Sequence, residues 1–160
     1  MTITELCMEV NNFFVYDAEH KAHPHKGVFT ISDGVVAPLD FLIPEQYFWI
    51  RGSKLNNGVY KYTANQIPEL VGRNETFNGV IYEMFVDTAF IQVFEEIKAW
   101  HEKYGNVNSA NMSPYTSESI SGVFSRSMKS GSGGASVTWK QNFAIGDNDR
   151  LAKWRRGSVF

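Results

Sequence analysis

The sequence predicts an α+β fold in which helices flank a small antiparallel β-sheet or a barrel-like middle. Apolar residues recur at helical spacing in residues 2–14 and again in residues 87–104, and the stretch between them has strand-like runs separated by Asp-Gly and Asn-Gly pairs. With 160 residues, 43% of them hydrophobic, the chain is long enough to bury its own core. We expect a helical and β core at 1–105, an extended Ser/Gly-rich arm with a hairpin at 106–146, and a short C-terminal helix and tail at 147–160.

Charge and cysteine content argue against several classes of protein. A formal net charge of −2 provides no general affinity for nucleic acid or for an anionic membrane surface. The single cysteine, Cys7, cannot form an internal disulfide, and the sequence has neither a leader pattern nor an apolar run of about 18 residues. We therefore expect a protein with no membrane partner that is kept in a reducing cytoplasm.

The first element is predicted to be an amphipathic helix over residues 2–14. Thr2 and Glu5 have the spacing of a capping box, in which each side chain bonds the other residue's backbone N–H. Cys7 has no His or Asp partner at motif spacing, so we interpret it as a core residue. The apolar face consists of Ile3, Leu6, Cys7, Val10, Phe13 and Phe14.

Three of the four histidines, His20, His23 and His25, lie in the polar stretch that follows. With Asp17 nearby, they provide imidazole and carboxylate groups, which are the ligands of many transition metals. A dense run on a loop lacks the rigid scaffold that fixes ligand geometry, so we prefer a solvated loop. A metal-dependent enzyme that uses this loop is one alternative.

Strand signals dominate the middle of the chain, where β-branched and aromatic runs alternate with turn pairs. Asp33-Gly34 and Asn57-Gly58 each predict a tight hairpin turn, and Asn78-Gly79 predicts a third turn before the last strand. The strands are predicted at residues 28–31, 35–36, 47–50, 59–62 and 80–86.

Tyr60 and Tyr62 are predicted to be exposed aromatic residues of this sheet. Exposed rings can stack on bases or sugars, but cross-strand packing explains them without a ligand. We prefer packing, and a small β-rich ligand-binding module is a second alternative function.

The strongest helix signal begins at Asp87, which can cap it, and ends at Tyr104 before Gly105. Glu95 and Glu96 lie on its polar face and point in different directions, so they do not form an acid–base pair. We interpret this acidic face as solvated. The apolar face consists of Phe90, Val93, Phe94, Ile97, Trp100 and Tyr104.

Residues 106–146 are longer than the usual connection in a compact domain and are rich in Ser and Gly. Residues 120–128 and 135–139 have strand-like content on either side of a Gly/Ser turn, and predict a hairpin over 119–139. Little apolar material remains in the chain to cover that hairpin, so we expect it to pair with an exposed sheet edge of a neighbouring subunit. A flexible linker is the alternative.

The C-terminal segment is predicted to be a short helix capped by Asp147, with Arg155 and Arg156 in its last turn. Leu151 and Trp154 add an apolar edge. Because Trp and Arg are favoured at binding hot spots, this end predicts a protein contact surface.

Motifs for catalysis or for cofactor binding are missing from the sequence: there is no P-loop, dinucleotide fingerprint, nucleophile elbow, metalloprotease helix or paired cysteine motif. We therefore expect neither enzymatic activity nor a cofactor or metal.

Six short segments occur in this order: ITELC at 3–7, NFF at 12–14, QYFWIRGS at 46–53, NGVY at 57–60, ETFNG at 75–79 and SPYTSES at 113–119. Together with the helix through Trp100 and Tyr104, they resemble head-tail connector (adaptor) proteins of long-tailed, siphovirus-type phages and prophages of Gram-positive bacteria. The similarity covers nearly the whole chain. The loop 20–26 and the larger β-rich middle depart from the family.

The resemblance implies a structural virion protein of the neck, at the head–tail interface, that is assembled in the host cytoplasm. Copies of the chain would form a dodecameric ring that matches the portal protein on one side and binds a stopper or tail-completion protein on the other. DNA would pass through the lumen without sequence-specific binding, and the acidic face of the 87–104 helix is our candidate lining.

Carried onto this chain, the resemblance places a portal-docking segment at 143–160 and an inter-subunit hairpin at 119–139. The portal-docking residues would be Phe143, Leu151, Trp154, Arg155, Arg156 and Phe160. The residues of the inter-subunit arm would be Ile120, Val123, Phe124, Arg126, Met128, Val137 and Trp139.

Overall fold

The computed structural model of the chain describes residues 1–104, 139–146 and 149–157 and confirms a mixed α+β fold. The chain divides into two compact units, Thr2–Asp87 and Thr88–Phe160 together with Met1. The boundary at Asp87 lies inside the range 1–105, which the sequence predicts to be one core. Most of the predicted arm at 106–146 lies outside the described residues.

The unit Thr2–Asp87 is built on a curled, antiparallel sheet of five strands, an open half-barrel. The strands lie in the order β2-β1-β5-β3-β4, so the two edges of the sheet are β2 and β4. Their bounds are Pro24–Ser32 for β1, Val35–Ala37 for β2, Tyr47–Arg51 for β3, Gly58–Lys61 for β4 and Glu75–Glu83 for β5.

The predicted hairpin turn at Asp33-Gly34 is confirmed. Ser32 pairs with Val35, and the two turn residues have φ values of 49° and 82°, as the mirror-image turns favoured in hairpins require. The second hairpin differs from the prediction, because Ile50 pairs with Gly58. Its connection is therefore a loop of residues 52–57 and not a tight turn at Asn57-Gly58.

The predicted turn at Asn78-Gly79 is wrong, because both residues lie inside β5. Gly79 is required there by close packing of the backbone: a Cβ at this position would collide with the carbonyl oxygen of Arg51 on β3. Gly52, just past the end of β3, approaches the same point, since its Cβ would lie 2.9 Å from the Cα of Gly79. A glycine in a strand can mark such a close approach as well as a turn.

One face of the sheet carries the hydrophobic core of this unit. Phe48, Ile50 and Ile81 are fully buried on the central strands, and Leu70, on a 3₁₀ turn at Pro68–Leu70, closes the core from the side. The core cluster consists of Phe29, Ile31, Val36, Leu39, Leu42, Phe48, Ile50, Tyr60, Ile67, Leu70, Phe77 and Ile81.

The N-terminal helix α1 spans Ile3–Glu9 and has the predicted capping box between Thr2 and Glu5. It is shorter than the predicted 2–14, because the chain leaves helical geometry after Val10 and Asn11 has a φ of 54°. The helix packs beside β4, where the Thr4 hydroxyl accepts a hydrogen bond of 2.9 Å from the Val59 N–H.

The unit that begins at Thr88 contains helices α2 (Thr88–Tyr104) and α3 (Trp139–Phe143). The buried side of α2 consists of Phe90, Val93, Phe94 and Ile97. The predicted C-terminal helix is reduced to a single 3₁₀ turn at Ala152–Trp154, and its predicted cap, Asp147, lies outside the described residues.

None of the helices in the described parts of the chain combines the length and the apolar character that crossing a membrane requires.

Candidate functional site

The first half of β1 leaves one side of its backbone without a strand partner. β1 pairs with β5 from Pro24 to Ile31, but its pairing with β2 is confined to Thr30, Ile31 and Ser32. Over residues 24–28 the sheet therefore ends in an open edge within the described part of the chain. We call this segment the β1 edge.

Hydrogen-bond alternation shows which groups face outward along the β1 edge. The Glu83 N–H donates to the His23 carbonyl at 3.2 Å, and in an antiparallel ladder every second residue bonds the same neighbour. His25 and Gly27 therefore bond β5, whereas the N–H and C=O groups of Lys26 and Val28 point away from it. The Val28 side chain is 60% exposed.

Two histidines lie at the beginning of β1, His23 just before the strand and His25 within it, and each bonds a different carboxylate. The His23 Nε2 lies 2.8 Å from Asp17 Oδ2, and the His25 Nε2 lies 2.8 Å from Glu83 Oε2. The His25 ring also stacks on Phe41 with centroids 3.6 Å apart. The pairs connect the loop before β1 and the end of β5 to β1.

The metal site that the histidine loop suggested is not assembled in the described residues. His23 and Asp17 form one pair and His25 is held by Glu83, while His20 is exposed in a turn with a φ of 64°. No group of three or more His, Cys, Asp or Glu side chains in the described ranges is arranged to hold a metal ion.

Glu75 organises the loop between β3 and β4. Its carboxylate accepts hydrogen bonds from the Ser53 hydroxyl and from the backbone N–H groups of Lys54 and Leu55, and from the side-chain amide of Asn56 at 2.9 Å. Burial by itself would raise the pKa of the Glu75 carboxyl, but these donors outweigh it and hold the pKa below its ordinary value.

A cleft of about 450 Å³ lies between this loop and β5. It exists because β3 pairs with β5 only from Val80 to Glu83, so the earlier part of β5 has no strand on that side among the described residues. By the same alternation as above, the backbone groups of Thr76 and Asn78 face the cleft. Leu55 forms part of its wall and is 61% exposed.

The aromatic residues that suggested a ligand-binding surface are packing residues. Tyr60 is 9% exposed and its hydroxyl donates to the Asn56 carbonyl at 3.0 Å, so its predicted exposure is wrong. Burial raises the pKa of this phenol. Tyr62 packs against the core cluster. On the other face of the sheet, Trp49 is covered by Phe13, whose ring stacks on it at 3.9 Å.

The apolar residues predicted to dock on the portal are buried in their own unit. Leu151 is fully buried, and Trp154 is 8% exposed with its ring edge-on to Phe90 of α2, at a centroid distance of 5.2 Å. Phe143 is 9% exposed. These residues therefore do not form the exposed apolar edge that the sequence predicts, because Trp154 is buried against α2.

The predicted arginines have different environments. The Arg155 guanidinium donates to Asp149 Oδ2 at 3.3 Å and to the Ala144 carbonyl at 3.1 Å. Its hydrogen bonds therefore connect residues within its own C-terminal segment. Arg156 is exposed, as is Lys153, whose ammonium lies over the Trp154 ring. Phe160, the last predicted docking residue, lies outside the described residues.

Sequence reasoning missed Arg150, which bonds Glu96 of α2 and so joins two distant segments. No local motif could have indicated this pair.

Trp139 is the one predicted arm residue that the structure describes. It begins helix α3 and does not extend a strand, so its predicted place in the hairpin is wrong. The helix is supported by the Ala144 N–H, which bonds the Lys140 carbonyl. The other arm residues, Ile120, Val123, Phe124, Arg126, Met128 and Val137, lie outside the described ranges.

Comparisons of the chain with protein-family models, with curated proteins and with solved structures found no match.

Proposed function

We propose that this chain is a structural virion protein, a ring-forming head-tail connector (adaptor) that joins the portal of a phage capsid to the stopper or tail and surrounds the DNA passage. The observation that carries the proposal is the β1 edge, an open row of backbone donors and acceptors. A head-to-tail ring requires two different complementary patches on each subunit. The open sheet edge and the proposed arm at 119–138 would provide such a pair.

In the proposed ring, α2 is the amphipathic helix of the ring body. Gln92, Glu95 and Glu102 are exposed on it, and Glu96 is already paired with Arg150. Lys98 pairs with Glu95 and Lys103 is also exposed, so this surface is polar and mixes acidic with basic side chains. It has no basic excess that would bind passing DNA tightly.

Burial of Leu151 and Trp154 revises the docking surface of the proposal. In the revised proposal, the portal protein would contact the exposed side chains of Lys153, Arg156 and Ile145, the last of which is 55% exposed. Leu151 and Trp154 would support that surface from inside.

The partners in this proposal are other copies of the chain, the portal protein and a stopper or tail-completion protein. The protein would be a component of the virion neck that assembles in the host cytoplasm.

Native mass spectrometry and negative-stain electron microscopy of the full chain, alone and mixed with the portal protein of the same phage or prophage, test the proposal. We expect closed rings of portal symmetry bound at one end of the portal. Replacing Lys153 and Arg156 by Glu should abolish portal binding, whereas Lys54→Glu, an exposed cation of the other unit, should leave it unchanged. A full chain that never associates with itself or with the portal would rule the connector out.

The cleft beside β5 favours a second candidate function, a small module that binds an extended peptide. Its wall offers the free backbone groups of Thr76 and Asn78 together with the exposed Leu55. Saturable binding of peptides by a monomer, lost on Leu55→Asp, would support this function over the connector.

A further inference from the structure

We propose that the β1 edge is the site where a strand from the 119–138 segment of a second copy of this chain adds to the sheet. The inference rests on the proposed connector function and names the receiving site that a ring needs. Strand addition derives its affinity from main-chain hydrogen bonds and its specificity from the alternating side chains.

The β1 edge provides the main-chain groups for such an addition. Lys26 and Val28 each present an N–H and a C=O to the open side. Pro24 presents only a C=O, because proline has no backbone N–H. None of the backbone-to-backbone hydrogen bonds among the described residues uses these groups. They form the row that an incoming strand would continue.

The side chains of the β1 edge match an incoming strand with two unlike faces. The exposed Val28 and Lys26 lie on the outer face of the sheet, and the buried Phe29 lies on the core face. In the proposed strand 120–128, alternation would place most of the large side chains on one face and three serines on the other. The first face would carry Ile120, Phe124, Arg126 and Met128, and the second Ser121, Val123, Ser125 and Ser127. Because Lys26 places a cation at the edge, a serine face is better tolerated there than a second basic one.

The chain outside the described residues is long enough to reach a neighbour. It comprises 34 residues between Tyr104 and Trp139. Folded back as a hairpin it would extend about 50 Å, at roughly 3.3 Å per residue. A compact unit of the size of Thr2–Asp87 is only about 30 Å across. A hairpin of this length would therefore exceed the width of one such unit.

The other open positions of the sheet are less suited to this strand. At β4, the Val59 N–H is already bonded to Thr4. Beside β5, the open positions in the described part of the sheet are Thr76 and Asn78, and the loop held by Glu75 lies next to them. The β1 edge is longer, and it faces away from β5.

Proline substitutions in the full chain test the site. A proline at Val28 removes a donor that faces outward and keeps the bonds to β5, and edge positions tolerate proline. Asn78→Pro is the matched control, because it removes the outward donor at the β5 cleft. We expect Val28→Pro to weaken self-association at least about tenfold in sedimentation equilibrium, a difference of roughly 1.4 kcal/mol, and Asn78→Pro to leave it unchanged. The reverse pattern, or equal effects, would overturn the assignment.

Two direct measurements complete the test. Amide hydrogen exchange of the full chain should slow at Lys26 and Val28 as protein concentration rises, while Thr76 and Asn78 stay fast. In an oxidised mixture of Val28→Cys with Phe124→Cys or Ser125→Cys variants, a disulfide should join the two different copies. If rings form without this cross-link, the β1 edge is not the receiving site, but the connector function still stands. If the Val28→Cys variant forms a disulfide with a second copy of itself, the partner of the β1 edge is another β1 edge and not the arm. A chain that stays monomeric would contradict both proposals.

Discussion

The guanidinium of Arg150 bonds both carboxylate oxygens of Glu96, at 2.5 and 3.1 Å, and so joins the C-terminal segment to α2. The hydrogen bond and the positive charge of Arg150 also hold the pKa of the Glu96 carboxyl below its ordinary value. The next residue, Leu151, is fully buried. The segment is therefore held by a polar pair at the surface and by an apolar side chain inside.

These two contacts should differ strongly in their contribution to stability. Leu151→Ala should lower the free energy of unfolding by about 2–5 kcal/mol, because it leaves a cavity. Arg150→Ala should lower it by less than about 1 kcal/mol, since the Arg150 and Glu96 side chains are 43% and 40% exposed and water screens the pair. Urea unfolding followed by the helical circular dichroism signal measures both. Equal losses of unfolding free energy would contradict this prediction and show that the ion pair contributes as much as the buried Leu151.

Gly79→Ala should destabilise the sheet by roughly 1–3 kcal/mol, as overpacking does. The new methyl group would meet the Arg51 carbonyl, which is backbone and cannot rotate away. The control is Asn78→Ala, one residue earlier, where the side chain is exposed. Urea midpoints should fall for Gly79→Ala and stay within error for Asn78→Ala. A tolerated alanine at Gly79 would mean that β3 and β5 lie farther apart at this point.

The Asp17 side chain should stabilise the fold in a pH-dependent way. The hydrogen bond from His23, with the backbone N–H groups of Lys21 and Glu19, lowers the pKa of the Asp17 carboxyl from 3.8 to about 2. Because the folded pKa is the lower one, the stabilisation is fully present above about pH 4 and is lost as the pH falls toward 2.

The difference in unfolding free energy between the wild type and Asp17→Asn should therefore shrink over this range. Asp40→Asn, which changes an exposed carboxylate, serves as the control. A wild-type advantage that stays constant from pH 5 to 2 would contradict the assignment of the ionised carboxylate.

The thiol of Cys7 should not react with thiol reagents in the folded protein. Its side chain is fully buried, and burial raises the pKa of the thiol to about 12, so almost no thiolate forms near pH 8. A maleimide or disulfide reagent should label it only after unfolding. Rapid labelling of the native chain would show that α1 opens, and it would require replacing Cys7 before the cross-linking experiments.

Local signals predicted the local parts of the fold. The Asp33-Gly34 turn and the capping box of Thr2 and Glu5 depend on neighbours within a few residues, and both are confirmed. Asn78-Gly79 has the same turn composition, but its glycine is there because Arg51 approaches it from another strand. That reason is invisible in a short window of sequence.

The candidate site was harder to predict for the same reason. The β1 edge exists because β2 ends at Ala37, so that Lys26 and Val28 have no second strand partner within the ranges that the structure describes. This depends on pairing across the sheet. Likewise, the sequence indicates that Trp154 forms an apolar contact, but it does not indicate that the partner is the Phe90 ring. Which apolar residues stay exposed is decided by tertiary packing.

The Thr4 hydroxyl accepts a hydrogen bond from the Val59 N–H, so one outward donor of β4 is already used within the subunit. An unprotected sheet can pair with copies of itself at both edges and grow without limit, as amyloid does. Because α1 lies beside β4 and uses this donor, strand addition at β4 is disfavoured relative to the β1 edge. In the proposed assembly this asymmetry favours pairing at the β1 edge over unlimited growth from both edges.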